Sequence, residues 1–180
     1  MAVIETERLV LARWDDSHAE MLARLGAMHS VVRYVGPGEV WSPEKSRQVH
    51  DRHIEHWRRH GFGWRAAVEK ASGRQVGLIA LNFLGEGTEG LDPAEYEIGW
   101  WLDPADHGRG LAREGGRALR DEARGRLGAP SVVARIQPAN QPSIAVAEAI
   151  GLTFDFGTTG AAGEPVAVYR GLLHNHSSSV

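Results

Sequence analysis

The sequence predicts one α/β domain in which a sheet of seven strands is flanked by helices. Strand-like and helix-like patterns alternate along the chain, which is typical of this class. At 180 residues the chain is long enough to bury a sizeable core and short enough to be one domain. No internal repeat or second-domain boundary is visible, so we expect the domain to span residues 1–173, with a disordered tail at 174–180.

Composition narrows the class of protein before any motif is considered. Hydrophobic residues make up 42% of the chain and charged residues 24%, as in ordinary globular proteins. A formal net charge of -3 argues against nucleic acid as a partner. The chain has no cysteine, which excludes disulfides, a thiolate nucleophile and cysteine-ligated metal. No apolar run has the length of a membrane span or forms the core of a signal peptide, so we expect a cytoplasmic protein without a membrane partner.

Seven segments have the apolar centres and turn-residue borders of strands. The second and third are joined by a polar turn, and the last two look like an antiparallel pair. The glycine-rich segment 157–163 between that pair is expected to be a loop that either closes over a substrate or is a hairpin tip. The predicted strands lie at 8–13, 62–68, 75–84, 94–102, 131–136, 154–156 and 165–172.

Four segments carry apolar residues at helical spacing. Asp15 can cap the first helix, Ser42 can cap the second ahead of a proline, and Asn140 starts the fourth. Gly115 and Gly116 lower the helix propensity of the third, so we expect close packing against the sheet as compensation. The predicted helices lie at 15–28, 43–60, 111–127 and 140–151.

The chain is organised around the segment 97–112, in which an apolar strand ends at a turn and a glycine-rich loop leads into a helix. Gly108 and Gly110 remove side chains where the backbone must come close to another group. The helix that begins near Leu111 offers unpaired N–H groups and the positive end of its dipole at the same place. This combination predicts a cradle for phosphate or pyrophosphate, although a lone G-x-G also occurs as a tight turn that needs positive φ.

Two motifs at a fixed separation carry a resemblance to a known family. They read EIGWWL at 97–102 with HGRGLA at 107–112, and NQPSI at 140–144 with EAIGL at 148–152. The first resembles the acetyl-CoA-binding motif of the GNAT acetyltransferase superfamily, and the second resembles that family's following helix motif. The opening TERLVL at 6–11 is similar to the branch named for ribosomal-protein N-terminal acetyltransferases. The resemblance covers nearly the whole chain in order.

The resemblance implies a mixed, mostly antiparallel seven-stranded sheet with a splayed central strand pair. It also implies acetyl transfer from acetyl-CoA to a primary amine by direct attack in a ternary complex, with no metal. The pantetheine arm would lie in the splay, and the pyrophosphate would lie on the glycine loop. The implied cofactor-binding residues are Trp101, Leu102, Asp103, His107, Gly108, Arg109, Gly110, Leu111, Ala112, Asn140 and Ser143.

Three departures from the family pattern affect the expected site. His107 stands where Gln or Arg is usual, which predicts a weaker grip on the cofactor but not its loss, because the loop works through backbone N–H groups. Ala147 stands where many members have a tyrosine that protonates the departing thiolate, so no general acid is assigned and water can supply this proton. The strand before Asn140 is apolar around Val133, where some members have a glutamate.

The carboxylates of the central strand are the candidate base. An alkyl ammonium with a pKa near ~10 must lose a proton before its nitrogen can attack a carbonyl, and a carboxylate in a partly apolar cleft can accept it directly or through water. Glu97 matches the family position, and Glu95 is the reserve because it shares the strand face at a two-residue period. The alternative is that both carboxylates lie at a solvated sheet end or in ion pairs.

The second helix places His50, His53, His56 and His60 within about a third of its circumference. They could line an acceptor pocket, bind zinc through an i, i+4 pair, or lie at the rim of an apolar docking face. The four tryptophans outside the central strand are more often core or cleft wall than specific ligands. The candidate substrate-binding residues are Trp41, His53, Trp57 and Trp64.

The favoured function is therefore an N-acetyltransferase that acts on a small-molecule amine or a protein N-terminus, and the sequence does not choose between these acceptors. The alternative is a non-catalytic acyl-CoA-binding or sensing module. A nucleotide-binding P-loop is disfavoured because no Lys-Ser/Thr follows the glycines. Exposed apolar strands often pair across an interface in this family, which predicts a homodimer.

Overall fold

The computed structural model describes residues 3–173, which form an eight-stranded sheet with helices on both faces. The predicted tail at 174–180 lies outside the described residues. The helices are α1 (Ala19–Gly26), α2 (His29–Val32), α3 (Pro43–His60), α4 (Leu111–Gly125) and α5 (Gln141–Ala149). The strands are β1 (Ile4–Glu5), β2 (Leu9–Arg13), β3 (Arg65–Glu69), β4 (Gln75–Phe83), β5 (Tyr96–Leu102), β6 (Ser131–Ile136), β7 (Thr153–Thr159) and β8 (Pro165–Leu172).

The sheet has the order β1-β2-β3-β4-β5-β6-β8-β7 and is antiparallel except between β5 and β6. The seven predicted strands are all present, and the eighth is the two-residue β1, which was not predicted because it is so short. β4 and β5 pair along seven residue pairs, whereas β5 and β6 share only Glu97 with Val133. The two central strands therefore diverge, which confirms the predicted splay.

The two faces of the sheet bury separate cores. One core lies under α4 and α5 and includes Ile79, Ile98 and Leu119. The other lies under α1 and α3 and includes Trp14 and Trp64. Because side chains alternate along a strand, β5 presents Trp100 to the first core and Trp101 to the second. No helix within residues 3–173 combines the length and apolarity of a membrane span.

Local sequence signals set most helix boundaries. The Ser42 hydroxyl accepts a hydrogen bond from the Lys45 N–H at the start of α3, and Gly61, with φ of 70°, caps its end after His60. The predicted bounds of 43–60 are confirmed. The first predicted helix is instead divided into a short 3₁₀ turn, α1 and α2, because the backbone becomes extended at Met28. Residues 157–159 belong to β7, which leaves a shorter hairpin loop than predicted.

The glycines in α4 allow this helix to lie directly on the sheet. A Cβ atom at Gly115 would lie 2.6 Å from Cγ1 of Ile79 on β4, and one at Gly116 would lie 3.2 Å from Cδ1 of Ile150. Any side chain at position 115 would thus push α4 away from β4. The predicted compensation of poor helix propensity by close packing is confirmed.

Candidate active site

The divergence of β5 and β6 opens a cleft of about 750 Å³ that runs between the two faces of the sheet. Its walls come from β4, β5 and β6, from α3, and from the start of α5. The loops at 34–36, 84–86 and 160–164 form its rim. This volume accommodates an extended chain and a small molecule that meets its end.

Strand alternation decides which backbone groups of β5 face this cleft. The Asp103 N–H donates to the Val76 carbonyl at 2.9 Å, so Asp103 and Trp101 direct their backbone groups towards β4. Trp100 and Leu102 therefore face the side from which β6 has diverged. Of the predicted backbone contacts, Leu102 faces the β6 side, but it does not line the cleft and His107 lies against its carbonyl oxygen, while the backbone groups of Trp101 and Asp103 face β4. Trp100 was missed, although the two-residue period provides the signal.

Asp103 and His107 stabilise the end of β5. The Asp103 carboxylate accepts from the Ala105 N–H at 3.0 Å and pairs with Arg24 of α1. The pKa of Asp103 is lowered mainly by the hydrogen bond from the Ala105 N–H and next by the hydrogen bond from Arg24. His107 Nε2 lies 3.1 Å from the Leu102 carbonyl oxygen, so its ring connects the loop to the strand. Both side chains hold the loop in shape.

The glycine loop is folded as an open anion cradle. Gly108 and Gly110 have φ of 73° and 77°, values that favour glycine, and a Cβ at Gly108 would meet nothing within 4 Å. The first intrahelical bond of α4 runs from the Glu114 N–H to the Gly110 carbonyl. The N–H groups of Leu111 and Ala112 consequently have no partner inside the helix and are available to an anion.

Two guanidinium groups lie beside this cradle. A Cβ at Gly110 would lie 3.5 Å from Nη2 of Arg8 and 3.7 Å from Nη2 of Arg113. Arg8 is held by the Glu114 carboxylate at 2.7 Å and donates to the Arg109 carbonyl at 2.8 Å. Sequence reasoning missed Arg8 because it lies about a hundred residues before the loop. These positive charges add to the positive end of the α4 dipole, and together they favour a polyanionic ligand.

The Arg109 side chain has a different role from the predicted phosphate contact. Its guanidinium pairs with Glu69 of β3 and, at 2.6 Å, with Asp106. Asp106 is 1% exposed, and its pKa is lowered mainly by the hydrogen bond from Arg74, against the effect of burial, with Arg109 adding to the decrease. Arg109 therefore braces the loop through its side chain, and its backbone remains part of the cradle.

Asn140 and Ser143 lie together at the opposite wall of the cleft. Asn140 caps α5 by accepting from the Ser143 N–H at 3.4 Å, and the Ser143 hydroxyl accepts from Trp100 Nε1 at 3.3 Å. Both residues line the cleft, as their predicted role requires. A hydrogen bond between α5 and β5 thus spans the gap that β6 leaves open.

Glu97 lines the cleft at the point where β5 and β6 part. Its carboxylate accepts from Arg135 Nε at 2.7 Å and from Asn82 Nδ2 at 3.3 Å. Arg135 in turn donates to the Thr88 hydroxyl at 2.6 Å. Asn82 and Arg135 were missed, but each is a polar residue inside an apolar strand, which is a usable signal for a buried polar contact.

The comparisons with known proteins agree with this geometry. A family model described as an acetyltransferase (GNAT) domain matches residues 8–153. The chain belongs to this family. Acetyl-CoA-dependent acetyl transfer is therefore its general activity. The splay and the Asn140 wall belong to the cleft, whereas the cradle residues 107–112 are not among the residues that line it. One solved acetyltransferase, from Agrobacterium tumefaciens str. C58, is 28% identical with a TM-score of 0.78, and 94% of each chain is covered.

Other solved members of the family contain the cofactor. RimL, a ribosomal L7/L12 α-N-protein acetyltransferase in complex with coenzyme A, is 21% identical with a TM-score of 0.74 over 96% of this chain and 98% of the other. Spermidine N-acetyltransferase from Vibrio cholerae, in complex with CoA and spermine, is 16% identical with a TM-score of 0.69 over 92% and 96%. These two structures share the fold of this chain.

The reserve base of this acetyltransferase lies away from the cleft. The Glu95 carboxylate pairs with Arg170 of β8 and accepts from the Asp92 N–H at 3.1 Å. Glu95 precedes the Glu97–Val133 pair by two residues and is not among the cleft-lining residues. Glu97 therefore lies on the cleft wall and Glu95 does not, and both carboxylates are in ion pairs, as the alternative interpretation expected.

Helix α3 of the acetyltransferase contributes His53 and His56 to the cleft. The His53 ring stacks on Trp64 with centroids 3.6 Å apart, and burial lowers its pKa to about 2. Burial also lowers the pKa of His56 to about 4. Both imidazoles are consequently neutral near pH 7. This result agrees with the acceptor-pocket alternative for this part of the helix.

The remaining predicted residues of α3 have other environments. Trp57 is 2% exposed and donates from Nε1 to the Trp64 carbonyl at 2.7 Å, so the structure places it in the core and not on the cleft wall. His50 accepts from Trp14 Nε1 at 3.1 Å, and His60 packs against Phe83. Among residues 3–173, no group of three or more His, Asp or Glu side chains is arranged to hold a metal ion.

Proposed function

We propose that this acetyltransferase is an N-acetyltransferase of the cytoplasm that acts on a primary amine, either a small molecule or a protein N-terminus. The observation that carries the proposal is the position of Glu97, the carboxylate that lines the cleft where the two central strands part. The acceptor would enter from the α3 side, and the pantetheine arm would occupy the gap beside Trp100 and Leu102. The two substrates would then meet beside Glu97.

The proposed chemistry is direct attack of the amine on the thioester that acetyl-CoA supplies. The amine nitrogen forms a bond to the acetyl carbon and the carbon–sulfur bond breaks. CoA leaves as a thiolate, which takes up, through water, the second proton that the nitrogen loses as it becomes an amide. Glu97 accepts the proton that the ammonium group loses, directly or through water. Since Arg135 and Asn82 occupy both carboxylate oxygens, the weaker Asn82 contact at 3.3 Å is the one that the amine or a water would replace.

The glycine cradle provides the first test of the proposal. A tryptophan at Gly110 fills the space before the α4 N–H groups, so calorimetric titration should detect acetyl-CoA binding to wild type and none to Gly110→Trp. Gly128→Trp is the matched control, because Gly128 also has positive φ, of 63°, but lies beyond the far end of α4 with nothing near its Cβ position. Retained binding in Gly110→Trp would contradict the cradle assignment, and equal loss of binding in both variants would indicate a general folding defect.

The role of Glu97 is tested by thiol release with a panel of amines. Glu97→Gln retains the contact to Arg135 but cannot accept a proton, so kcat should fall by about 10²-fold or more while acetyl-CoA binding is unchanged. Unchanged kcat would refute the assignment of Glu97 as the base. Binding of acetyl-CoA without turnover of any amine would favour the non-catalytic acyl-CoA-binding alternative, for which the buried Ala147 in place of a tyrosine is the supporting observation.

A homodimer remains part of the proposal. Phe154 on the edge strand β7 is 59% exposed, and Leu172 on β8 is 60% exposed. Phe154 is an apolar side chain on a strand at the edge of the sheet, which favours pairing with another copy of the chain, whereas β8 lies between β6 and β7. Light scattering after size exclusion should give the mass of a dimer, and Phe154→Asp should shift it towards a monomer; a wild-type monomer would refute this part.

A further inference from the structure

The acceptor side of the cleft has a floor without bulky side chains. On the α3 face, β4 and β5 pair Ala80 with Gly99, and a Cβ at Gly99 would meet only Cβ of Ala80, at 3.7 Å. The residues two positions along β5 on either side are Trp101 and Glu97, whose side chains lie on the same face. The floor is therefore a depression between an indole ring and the proposed base.

Aromatic rings surround this depression. Trp41 packs against Trp101 with centroids 4.8 Å apart, and Trp64 lies 6.4 Å from Trp101. Trp64 is fixed by its hydrogen bond from Nε1 to Asn82 Oδ1 at 3.0 Å and by the stacked His53 ring. All three indoles line the cleft. We call the depression and its three tryptophans the aromatic slot.

The charged side chains around the aromatic slot do not form an acidic site. Burial keeps the imidazole of His53 neutral, since its pKa is lowered to about 2. The carboxylates that line the cleft within the described residues are Glu86, Glu97 and Glu164. Glu97 is paired with Arg135, and Glu164 accepts the Ala162 N–H of its own hairpin at 2.9 Å. Glu86 and Glu164 lie in the rim loops 84–86 and 160–164, and Arg52 of α3 adds a positive charge to the cleft wall. A polycation would therefore find no row of carboxylates at the slot itself, whereas an apolar ring would be in contact with indole on several sides.

We propose that the acceptor is a primary amine joined to a flat aromatic group, which the aromatic slot holds while the amine lies beside Glu97. Aromatic rings gain from contact with other rings beyond the area they bury, and the slot offers three. The inference rests on the proposed N-acetyltransferase function and defines its substrate class. It selects an arylalkyl amine over a polyamine and over a short aliphatic amine.

The test compares 2-phenylethylamine, n-propylamine and spermidine in the thiol-release assay with the full chain and saturating acetyl-CoA. We expect kcat/KM for 2-phenylethylamine to exceed that for n-propylamine by about 10- to 100-fold, a discrimination that an apolar pocket can supply. Equal values for the two amines, or a preference for spermidine, would overturn the inference while leaving the N-acetyltransferase function in place.

Two variants assign the preference to the slot. Gly99→Ala adds one methyl group to the floor without strain in the protein, and it should reduce the ratio of the two kcat/KM values by about tenfold. Trp41→Ala should reduce the ratio similarly, while Trp41→Phe, the matched control, should retain it because an aromatic ring remains. A ratio that is unchanged in Gly99→Ala and Trp41→Ala would refute the slot as its origin.

A binding measurement separates failure of the inference from failure of the function. In this measurement 2-phenylethylamine is titrated into wild type and into Gly99→Ala, and binding is monitored through the quenching of tryptophan fluorescence. If 2-phenylethylamine binds to wild type, binds more weakly to Gly99→Ala, and no amine is turned over, the slot is supported and the N-acetyltransferase function is refuted. The absence of both binding and turnover of 2-phenylethylamine would overturn the proposed substrate class.

Discussion

Substitution of Gly115 by alanine tests the packing that positions the anion cradle. In an ordinary helix this change would increase stability by about 1 kcal/mol, because alanine has the higher helix propensity. Here the new Cβ would lie 2.6 Å from Cγ1 and 2.9 Å from Cδ1 of Ile79, which is itself 0% exposed. Ordinary contacts begin at 3.4 Å, so α4 or β4 must move by several tenths of an ångström.

The expected net effect is a loss of stability. Overpacking in a close-packed core costs about 1–3 kcal/mol, and contact with two atoms of a fully buried side chain belongs to the upper part of this range. After subtraction of the helix-propensity gain, the free energy of unfolding should decrease by about 1–2 kcal/mol. For a chain of this size, Tm should fall by about 3–6 °C.

The assay is thermal and urea unfolding followed by circular dichroism, with Gly125→Ala as the matched control. Gly125 also lies in α4, but nothing is within 4 Å of its Cβ position, so the substitution should leave stability unchanged or raise it slightly. A Gly115→Ala variant as stable as wild type would refute the close approach of α4 to β4. Because the cradle is the first turn of the same helix, weaker acetyl-CoA binding should accompany the lower Tm.

Two further predictions concern buried charge and buried histidine. Arg65→Met should lower the free energy of unfolding by about 1–3 kcal/mol, because it removes the buried 2.9 Å ion pair to Glu122, while Arg126 still pairs with that carboxylate at 2.6 Å. Unchanged stability in urea denaturation would contradict this. His53→Phe should reduce the acid sensitivity of folding. Burial lowers the pKa of His53 from 6.5 to about 2. The unfolded chain therefore binds a proton below pH 6.5 that the folded chain does not bind, and stability falls as pH decreases. Between pH 7 and pH 5 this one group should lower the free energy of unfolding of wild type by about 2 kcal/mol. Urea titrations at the two pH values should show this loss in wild type and not in His53→Phe. Equal pH dependence of both proteins would refute the prediction.

Residues whose roles depend on nearby chain positions were predictable from the sequence. Ser42 and Asn140 cap their helices through N–H groups three residues away. Gly108 and Gly110 take up the positive φ that their residue type favours. These features depend on steric limits and hydrogen bonds within a few residues, and the sequence displays such a neighbourhood directly.

Roles that depend on distant partners were not predictable. Glu95 and Glu97 have the same strand period, and only the position of the β5–β6 pair separates the cleft carboxylate from the one paired with Arg170. Arg109 has the right place for a phosphate contact, yet its guanidinium is bound by Glu69, forty residues away. Periodicity assigns a side chain to a face but not to the partner that it meets there.

The sequence by itself thus determined the family, the order of strands and helices, and the cradle with its helix N-terminus, because each depends on motifs or local backbone preferences. Only the tertiary structure decided that Trp41, Trp64 and Trp101 line the cleft while Trp57 does not, and that Arg135 and Asn82 hold Glu97. The physical reason is that these contacts join segments tens of residues apart. Their geometry follows from how α3 and the diverging strands pack, which no local pattern encodes.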